Sequence, residues 1–217
     1  MSDFYAQQCE DLIIDELLDH QRVGTYIDIG ANDPVFLSNT KRFYDRGWHG
    51  INVEPNPHLY RKIVEARPRD LNMNIGIGNY GNRVPFYIYE PHQLSSFIPM
   101  TGIMNRLRNR HTKLKAVVSL RVRPLSDLPH FSHEIDFMSV DVEGNEIEVL
   151  KTNDWEERRP KLLIVEITYN ERDILKYIDS IGYDLVFKNA INGIFIDNEY
   201  KDSVSKWMPR WLPGYVP

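Results

Sequence analysis

Cysteine and long apolar runs are nearly missing from this 217-residue sequence. Cys9 is the single cysteine, so the chain forms neither an internal disulfide nor a thiolate metal cluster. No uncharged apolar run approaches the roughly 18 residues of a membrane span, and the opening residues MSDF lack the basic and apolar regions of a signal peptide. We therefore expect a cytoplasmic protein without a transmembrane segment. The composition, 42% hydrophobic and 26% charged, is typical of a globular protein, and we expect a single domain over residues 1–217.

Acidic residues are missing between Glu90 and Asp127, although seven Lys and Arg residues lie there. Since the whole chain has a net charge of −5 and this segment has a charge of +7, the rest of the chain has a net charge of about −12. An acidic body repels nucleic acid, so we expect no nucleic-acid partner. Because Arg side chains bind phosphate through two parallel hydrogen bonds, Arg106, Arg108 and Arg110 are predicted to bind an anionic part of a substrate. The alternative is that these side chains only balance the acidic body.

Strand patterns and helix patterns alternate along most of the chain, which is typical of βαβ units and a parallel sheet. Strands are predicted over residues 25–29, 50–54, 72–77, 137–141 and 162–167, and helices over residues 4–18, 38–46, 58–66, 145–151 and 172–181.

Two regions break this alternation. Residues 83–89 and 117–123 read as strands on either side of an irregular segment, so we predict an inserted strand pair over residues 83–123 whose middle folds over the site as a lid. Residues 183–187 and 193–196 form a predicted hairpin, followed by a tail over residues 197–217. The chain is thus predicted to form an α/β fold with a seven-stranded, mostly parallel sheet, an antiparallel C-terminal hairpin and helices on both faces.

The first strand ends in an acid and a tight turn, formed by Asp28, Gly30, Ala31 and Asn32. Ligands of open α/β sheets bind at the carboxyl ends of the strands, and a glycine lets a ligand approach the backbone. The G-x-G-x-x-G pattern that binds a dinucleotide's pyrophosphate is missing. Asp28 would repel a phosphate but suits a ligand with ammonium and sulfonium groups, so these four residues are predicted to bind a cofactor.

Three further candidate cofactor contacts follow the next two strands. Glu54 ends the second strand, where an acid can accept both hydrogen bonds of a ribose diol. Gly78 and Asn79 follow the third strand and are predicted to lie against an adenine ring, although a plain glycine-rich loop would give the same pattern.

Three carboxylates crowd the end of the fourth predicted strand: Asp141, Glu143 and Glu146. Acids placed this close together are unfavourable unless they are solvated or used. Glu146 is expected to cap the following helix, which leaves Asp141 and Glu143 as the functional pair.

Residues 27–32 (IDIGAN), 53–56 (VEPN) and 141–150 (DVEGNEIEVL) resemble the signature blocks of FkbM-type methyltransferases. The likeness continues through residues 38–41, 43–48 and 165–167 and spans roughly residues 8–196, whereas residues 99–115 match no block. The resemblance implies a class I methyltransferase fold of the Rossmann-like type, S-adenosylmethionine as methyl donor, and O-methylation, often of sugars in glycans or of secondary metabolites.

Methyl transfer to a hydroxyl needs alignment and is helped by a base. Glu143, Asp141 and Glu166 are the predicted catalytic carboxylates, Asp141 also being a donor contact, and His92 and His111 are alternative bases. Asp141 and Glu166 resemble magnesium-binding positions, but Ile167 stands where such enzymes supply a polar ligand. A metal-free enzyme is therefore predicted, with magnesium as the alternative.

The predicted acceptor is a hydroxyl group, in particular that of a sugar in a glycan or nucleotide sugar. Two other classes remain as alternatives: a non-catalytic nucleotide- or glycan-binding protein, and a nicotinamide-dependent sugar dehydrogenase or epimerase. The sequence leaves the oligomeric state open.

Overall fold

The computed structural model of the chain describes residues 4–79, 83–99, 112–131 and 134–204. Its elements follow one another in the order α1 (Glu10–Leu17), β1 (Thr25–Ile29), α2 (Lys41–Arg46), β2 (His49–Val53), α3 (Pro57–Ala66), β3 (Leu71–Met73), β4 (Gly76–Ile77), β5 (Arg83–Glu90), β6 (Lys113–Arg123), β7 (Phe137–Val140), α4 (Glu146–Leu150), β8 (Leu162–Glu166), α5 (Glu171–Ser180), β9 (Tyr183–Lys188), β10 (Asn192–Asp197) and α6 (Asn198–Val204). Within these ranges no helix has the length and apolar character needed to cross a bilayer.

Seven strands form the main sheet in the order β3-β2-β1-β7-β8-β10-β9. Neighbouring strands are parallel except at β10, which runs antiparallel to both β8 and β9. β1 and β8 are buried along their whole length, as expected of central strands that are covered on both faces. The predicted class I sheet with its antiparallel C-terminal hairpin is therefore confirmed.

The two faces of the sheet bury different side chains, because successive strand residues point to opposite sides. On one face the ring of Phe43 in α2 lies 4.8 Å from that of Phe137 and 4.9 Å from that of Trp48, and Leu17 of α1 joins this cluster. On the other face, aliphatic residues of α4 and α5 pack on β1, β7 and β8. This double packing fixes the strand ends that carry the candidate site.

The predicted third strand over residues 72–77 is wrong as one element. Its first part is β3 of the main sheet, whereas its end is β4 of a second sheet with the order β4-β6-β5. The chain turns between them because the side-chain amide of Asn74 donates to the carbonyl oxygens of Glu54, at 2.8 Å, and Pro55, at 3.0 Å. The predicted pairing of the inserted strands is confirmed, since β5 and β6 are antiparallel neighbours.

Both ends of the chain also differ from the expected pattern. Helix α1 begins at Glu10 rather than at residue 4, because Cys9 adopts the left-handed conformation with φ of 67° and the Glu10 carboxylate accepts the backbone N–H of Gln8 at 2.7 Å. The predicted tail begins with helix α6. Several predicted features lie outside the described residues. They are the middle of the predicted lid, the end of the tail, and the side chains of Arg106, Arg108, Arg110 and His111.

Candidate active site

A cavity of about 350 Å³ opens where β1, β2, β7 and β8 end. Each of these four strands carries an acid close to or directly after its carboxyl end. All four acids line the cavity: Asp28, Glu54, Asp141 and Glu166. Parallel strands bring their carboxyl ends to the same edge of a sheet, so four acids that are distant in sequence meet here. The volume falls in the range of about 300–1,000 Å³ that is usual for ligand pockets.

Asp28 is a buried carboxylate with a fixed orientation. The hydroxyl group of Thr40 donates to its Oδ2 at 2.8 Å, and the buried guanidinium of Arg67 donates to the same hydroxyl at 3.3 Å. Burial raises the pKa of Asp28 to about 6, while the hydrogen bond from Thr40 acts in the opposite direction. A positively charged ligand in the cavity would favour the ionised form.

Backbone contacts build the turn after β1. Gly30 has a φ of +85°, and a Cβ at this position would lie 1.8 Å from the carbonyl oxygen of Asp141, so the approach of the β1 and β7 loops requires glycine. The N–H groups of Gly30 and Ala31 both donate to the carbonyl oxygen of Val53, at 2.9 and 3.1 Å. Asn32 is left-handed, with φ of 52°, and its buried Oδ1 has no hydrogen-bond partner among the described residues.

The carboxylate of Glu54 is held by two backbone N–H groups. Oε2 accepts from Asn32 at 2.7 Å and Oε1 from Asn56 at 2.6 Å. Burial, with the nearby charges of Asp28 and Asp141, raises the pKa of Glu54 to about 7. Because each carboxylate oxygen has a second lone pair, Glu54 can still accept hydrogen bonds from a ligand in the cavity, including those of a diol.

The structure places Gly78 and Asn79 differently from the other predicted donor contacts. The N–H of Gly78 donates to the carbonyl oxygen of Arg123 at 2.9 Å, and Asn79 is exposed. Neither lines the cavity, whereas Ile75 and the two residues of β4 do. The apolar wall expected at this end of the cavity is therefore formed by residues 75–77.

Two of the three acids after β7 have separate roles. Glu146 has a structural role, but it holds the loop before α4 rather than bonding the first turn of the helix as a cap: its Oε1 accepts the N–H groups of Val142, at 3.2 Å, and Gly144, at 2.9 Å. Glu143 is left-handed, with φ of 58°, and its Oε2 accepts a hydrogen bond of 2.8 Å from the hydroxyl group of Tyr169. Both Glu143 and Tyr169 line the cavity, and burial, reinforced by the charge of Asp141, raises the pKa of Glu143 to about 8.

Asp141 and Glu166 form the centre of the acidic group. Burial raises the pKa of Glu166 to about 11, and the charge of Asp141 acts in the same direction. Burial and the charge of Glu146 also raise the pKa of Asp141, to about 7, although a hydrogen bond from Glu166 opposes this rise. The protonated form of Glu166 is therefore favoured, and in that form Glu166 donates a hydrogen bond to Asp141.

Residues 28–185 match the family model described as the methyltransferase FkbM domain. The chain belongs to the FkbM methyltransferase family. This stretch contains every described site residue named above, from Asp28 on β1 to Tyr169 after β8, and the family is one of S-adenosylmethionine-dependent methyltransferases.

No curated protein matches the chain, whereas several solved structures resemble it. A TehB-like SAM-dependent methyltransferase from Corynebacterium glutamicum has 10% identity and a TM-score of 0.45, with 85% of this chain and 87% of that chain covered. The METTL16 MTase domain has 10% identity and a TM-score of 0.49, with 88% of this chain and 66% of that chain covered. The fibrillarin pre-rRNA processing protein of Methanococcus jannaschii has 13% identity and a TM-score of 0.41, with 82% of this chain and 68% of that chain covered.

The charge of the cavity fits the donor of an FkbM methyltransferase. Five acidic residues line it, and the described lining contains no Lys or Arg: the five are Asp28, Glu54, Asp141, Glu143 and Glu166. S-adenosylmethionine carries a sulfonium and an ammonium group, which complement such an acidic lining, and Glu54 can accept hydrogen bonds from its ribose. Among the residues described, no group of three or more His, Cys, Asp or Glu side chains is arranged to hold a metal ion.

His92, the alternative base within the described ranges, also lines the cavity. Burial and the positive charge of Lys62 lower the pKa of His92, whereas the negative charge of Asp33 raises it. The charges that act on Glu143 are instead those of Asp141 and Glu146. His92 is therefore influenced by the β1 turn and α3, whereas Glu143 belongs to the acidic group of β7 and β8.

Sequence reasoning missed the side chains that orient the acids. Tyr169 holds Glu143 and Thr40 holds Asp28. Asn39 does not contact an acid but ties its loop to β7 by donating to the hydroxyl group of Ser139 at 3.0 Å. Thr40 and Asn39 belong to the block over residues 38–41 that resembles the family, so that block already held a signal. Tyr169 offers none in the sequence, because only the fold brings the loop after β8 to the turn after β7.

Proposed function

We propose that this FkbM methyltransferase transfers the methyl group of S-adenosylmethionine to a hydroxyl group, specifically that of a sugar in a glycan or nucleotide sugar. When bound, the donor supplies an activated methyl group on a sulfonium centre. The single observation that supports O-methylation is the position of Glu143. It is a buried carboxylate in the same cavity as the donor-binding acids, and it is oriented by Tyr169.

The donor half of the cavity is assigned to Asp28 in β1 and residues 30–32 after it, to Glu54 after β2 and to the start of the β7 loop. Asp28, Gly30, Ala31 and Asn32 form the turn, Glu54 accepts from the ribose hydroxyls, and Asp141 faces the cationic end of the donor. Residues 75–77 replace Gly78 and Asn79 as the wall against the adenine. This assignment follows the lining of the cavity and the buried oxygens of Asn32 and Glu54.

Glu143 is the proposed base. Burial raises the pKa of its carboxyl to about 8, and the positive donor lowers that pKa by favouring the ionised form. A carboxylate whose pKa lies near the working pH is well suited to accept the proton of an attacking hydroxyl. Glu166 stays protonated and positions Asp141, so its proposed role is supporting, and no metal ion is required.

The charge of the cavity also bears on the acceptor. A lining with five acids and, within the described residues, no Lys or Arg favours an uncharged acceptor over an anionic one. Of the two sugar forms proposed, the neutral glycan therefore fits the described lining better. A phosphate clamp by Arg106, Arg108 and Arg110 stays a prediction, because these residues lie outside the described ranges.

Replacing Glu143 with glutamine tests the proposed base. The amide keeps the shape of the side chain but cannot take up a proton, so turnover should fall by about 100-fold or more while donor affinity is largely kept. Transfer is measured as an added methyl on a hydroxyl of the acceptor, and donor affinity by calorimetry. Glu148→Gln, which changes an exposed acid of α4, is the matched control.

Three outcomes would contradict parts of this assignment. Full activity in Glu143→Gln, together with its loss in Asp141→Asn, would move the base to Asp141. Activity that EDTA abolishes and magnesium restores would show that the metal-free part of the proposal is wrong. A product methylated on nitrogen or carbon would contradict O-methylation itself.

A further inference from the structure

An exposed apolar segment borders the cavity between β1 and α2. Residues 33–37 (DPVFL), here named the lip, carry Val35 with 45% and Phe36 with 63% of their surface exposed. Exposed apolar side chains are common when they stand singly, but adjacent ones at a cavity mark a binding surface. Phe36 and Leu37 both line the cavity that holds Glu143.

The lip is held in place rather than loose. The Oδ1 atom of Asp33 accepts the backbone N–H groups of Val35 and Phe36, both at 3.0 Å. The guanidinium of Arg67, which is 2% exposed, donates to the carbonyl oxygen of Pro34 at 2.6 Å. Leu37 adopts the left-handed conformation, with φ of 59°, which a leucine occupies only when the surrounding structure imposes it.

The result is an exposed aromatic side chain on a backbone that is held in place. Hydrogen bonds to Asp33 and Arg67 hold the backbone of the lip on both sides of Val35. A backbone that is already ordered loses little conformational freedom when a ligand contacts the ring. The lip therefore has the properties of a preorganised contact surface.

The rest of the cavity indicates the chemistry of a ligand that would contact this surface. The lining contains polar side chains that suit hydroxyl groups, among them Glu143, Tyr169, Asn39 and Ser95, while the described part has no Lys or Arg to hold a phosphate. A sugar ring combines hydroxyl edges with an apolar face of C–H groups, and that face stacks on an aromatic ring. A purely apolar acceptor would offer these polar side chains no hydrogen-bonding group and would offer Glu143 no proton to accept.

We propose that Phe36 and Leu37 form the acceptor subsite and that the acceptor is an uncharged sugar ring whose C–H face lies on the ring of Phe36. This inference rests on the proposed function, because it assigns the second substrate of the same cavity. Phe36 is a specificity-determining residue in this account, and Arg67 and Asp33 are positioning residues for the lip.

The test uses uncharged methyl pyranosides as probes, with the matching nucleoside diphosphate sugars as the anionic comparison. Binding is measured by saturation-transfer NMR on the protein loaded with S-adenosylhomocysteine, and transfer is measured separately with labelled S-adenosylmethionine. Phe36→Ala should weaken pyranoside binding and raise the acceptor KM by roughly tenfold, while donor affinity stays the same. Phe36→Trp should retain binding, and Phe4→Ala, which removes a half-exposed ring outside the cavity lining, should match the unaltered protein.

The outcomes separate the subsite from the reaction. Pyranosides that bind through Phe36 but are never methylated would support the subsite and contradict the proposed function. Methylation of pyranosides with an unchanged KM in Phe36→Ala would overturn the subsite alone. Each of three further results would overturn the inference. The protein could prefer nucleoside diphosphate sugars over pyranosides, Phe36→Leu could bind pyranosides as well as the unaltered protein does, or the unaltered protein could fail to bind pyranosides.

Discussion

Donor binding should release protons, because the cavity contains acids that are partly protonated at neutral pH. Burial raises the pKa of both Glu54 and Asp141 to about 7, and the positive charges of the donor favour their ionised forms. Below the pKa, each carboxyl that must ionise lowers the apparent affinity roughly tenfold per pH unit, equivalent to about 1.4 kcal/mol. Because two such carboxyls titrate here, each contributing roughly fivefold between about pH 6 and about pH 7, the affinity for S-adenosylmethionine should rise roughly 30-fold over this range.

Calorimetry in two buffers of different ionisation enthalpy measures both the affinity and the number of protons released. Glu54→Gln removes one titrating group and should reduce the proton release, whereas Glu148→Gln, at an exposed acid of α4, should leave it unchanged. S-adenosylhomocysteine lacks the sulfonium charge and should release fewer protons than the donor. An affinity that is flat over this pH range, with no proton release, would refute the electrostatic account of the site.

Two further predictions concern the acceptor side. Tyr169→Phe removes the hydrogen bond that lowers the pKa of Glu143, so the rise of turnover with pH should shift to higher pH; an unchanged profile with lower turnover would mean that Tyr169 only supports the loop. If Arg106, Arg108 and Arg110 instead clamp an anionic acceptor, charge reversal at Arg106 and Arg108 should raise the acceptor KM steeply and spare donor binding; an unchanged KM, as an uncharged acceptor predicts, would show that these residues are surface charge.

Much of the fold was predictable because its central strands are short and mostly apolar. β1, β2 and β8 were placed to within one residue, since strands buried on both faces are rich in apolar side chains and are bounded by turn residues. The division of the third strand was not predictable, because it depends on hydrogen bonds from Asn74 to the loop after β2. The late start of α1 likewise depends on the left-handed backbone of Cys9, which a helical spacing of apolar residues does not reveal.

The acids of the candidate site were predictable for a different reason. Acids at the ends of parallel strands must converge at one edge of the sheet, so Asp28, Glu54 and Asp141 were found from position alone. The side chains that orient and surround them were not, because Tyr169 and Arg67 reach the site through tertiary contacts. The lip was overlooked for the same reason, since nothing in its sequence shows that Arg67 fixes it at a cavity.

Titration of the protein with S-adenosylmethionine and, separately, with NAD determines whether the cavity is a methyl-donor site. We expect the folded protein to bind S-adenosylmethionine and not NAD, because the acidic lining complements the sulfonium and ammonium groups of the donor and repels the pyrophosphate of NAD. Glu54→Ala should weaken donor binding by roughly tenfold or more, since it removes charge-assisted hydrogen bonds. A protein that binds NAD but does not bind S-adenosylmethionine would contradict the assignment of the cavity as a donor site. Unchanged donor affinity in a folded Glu54→Ala protein would contradict the role of Glu54.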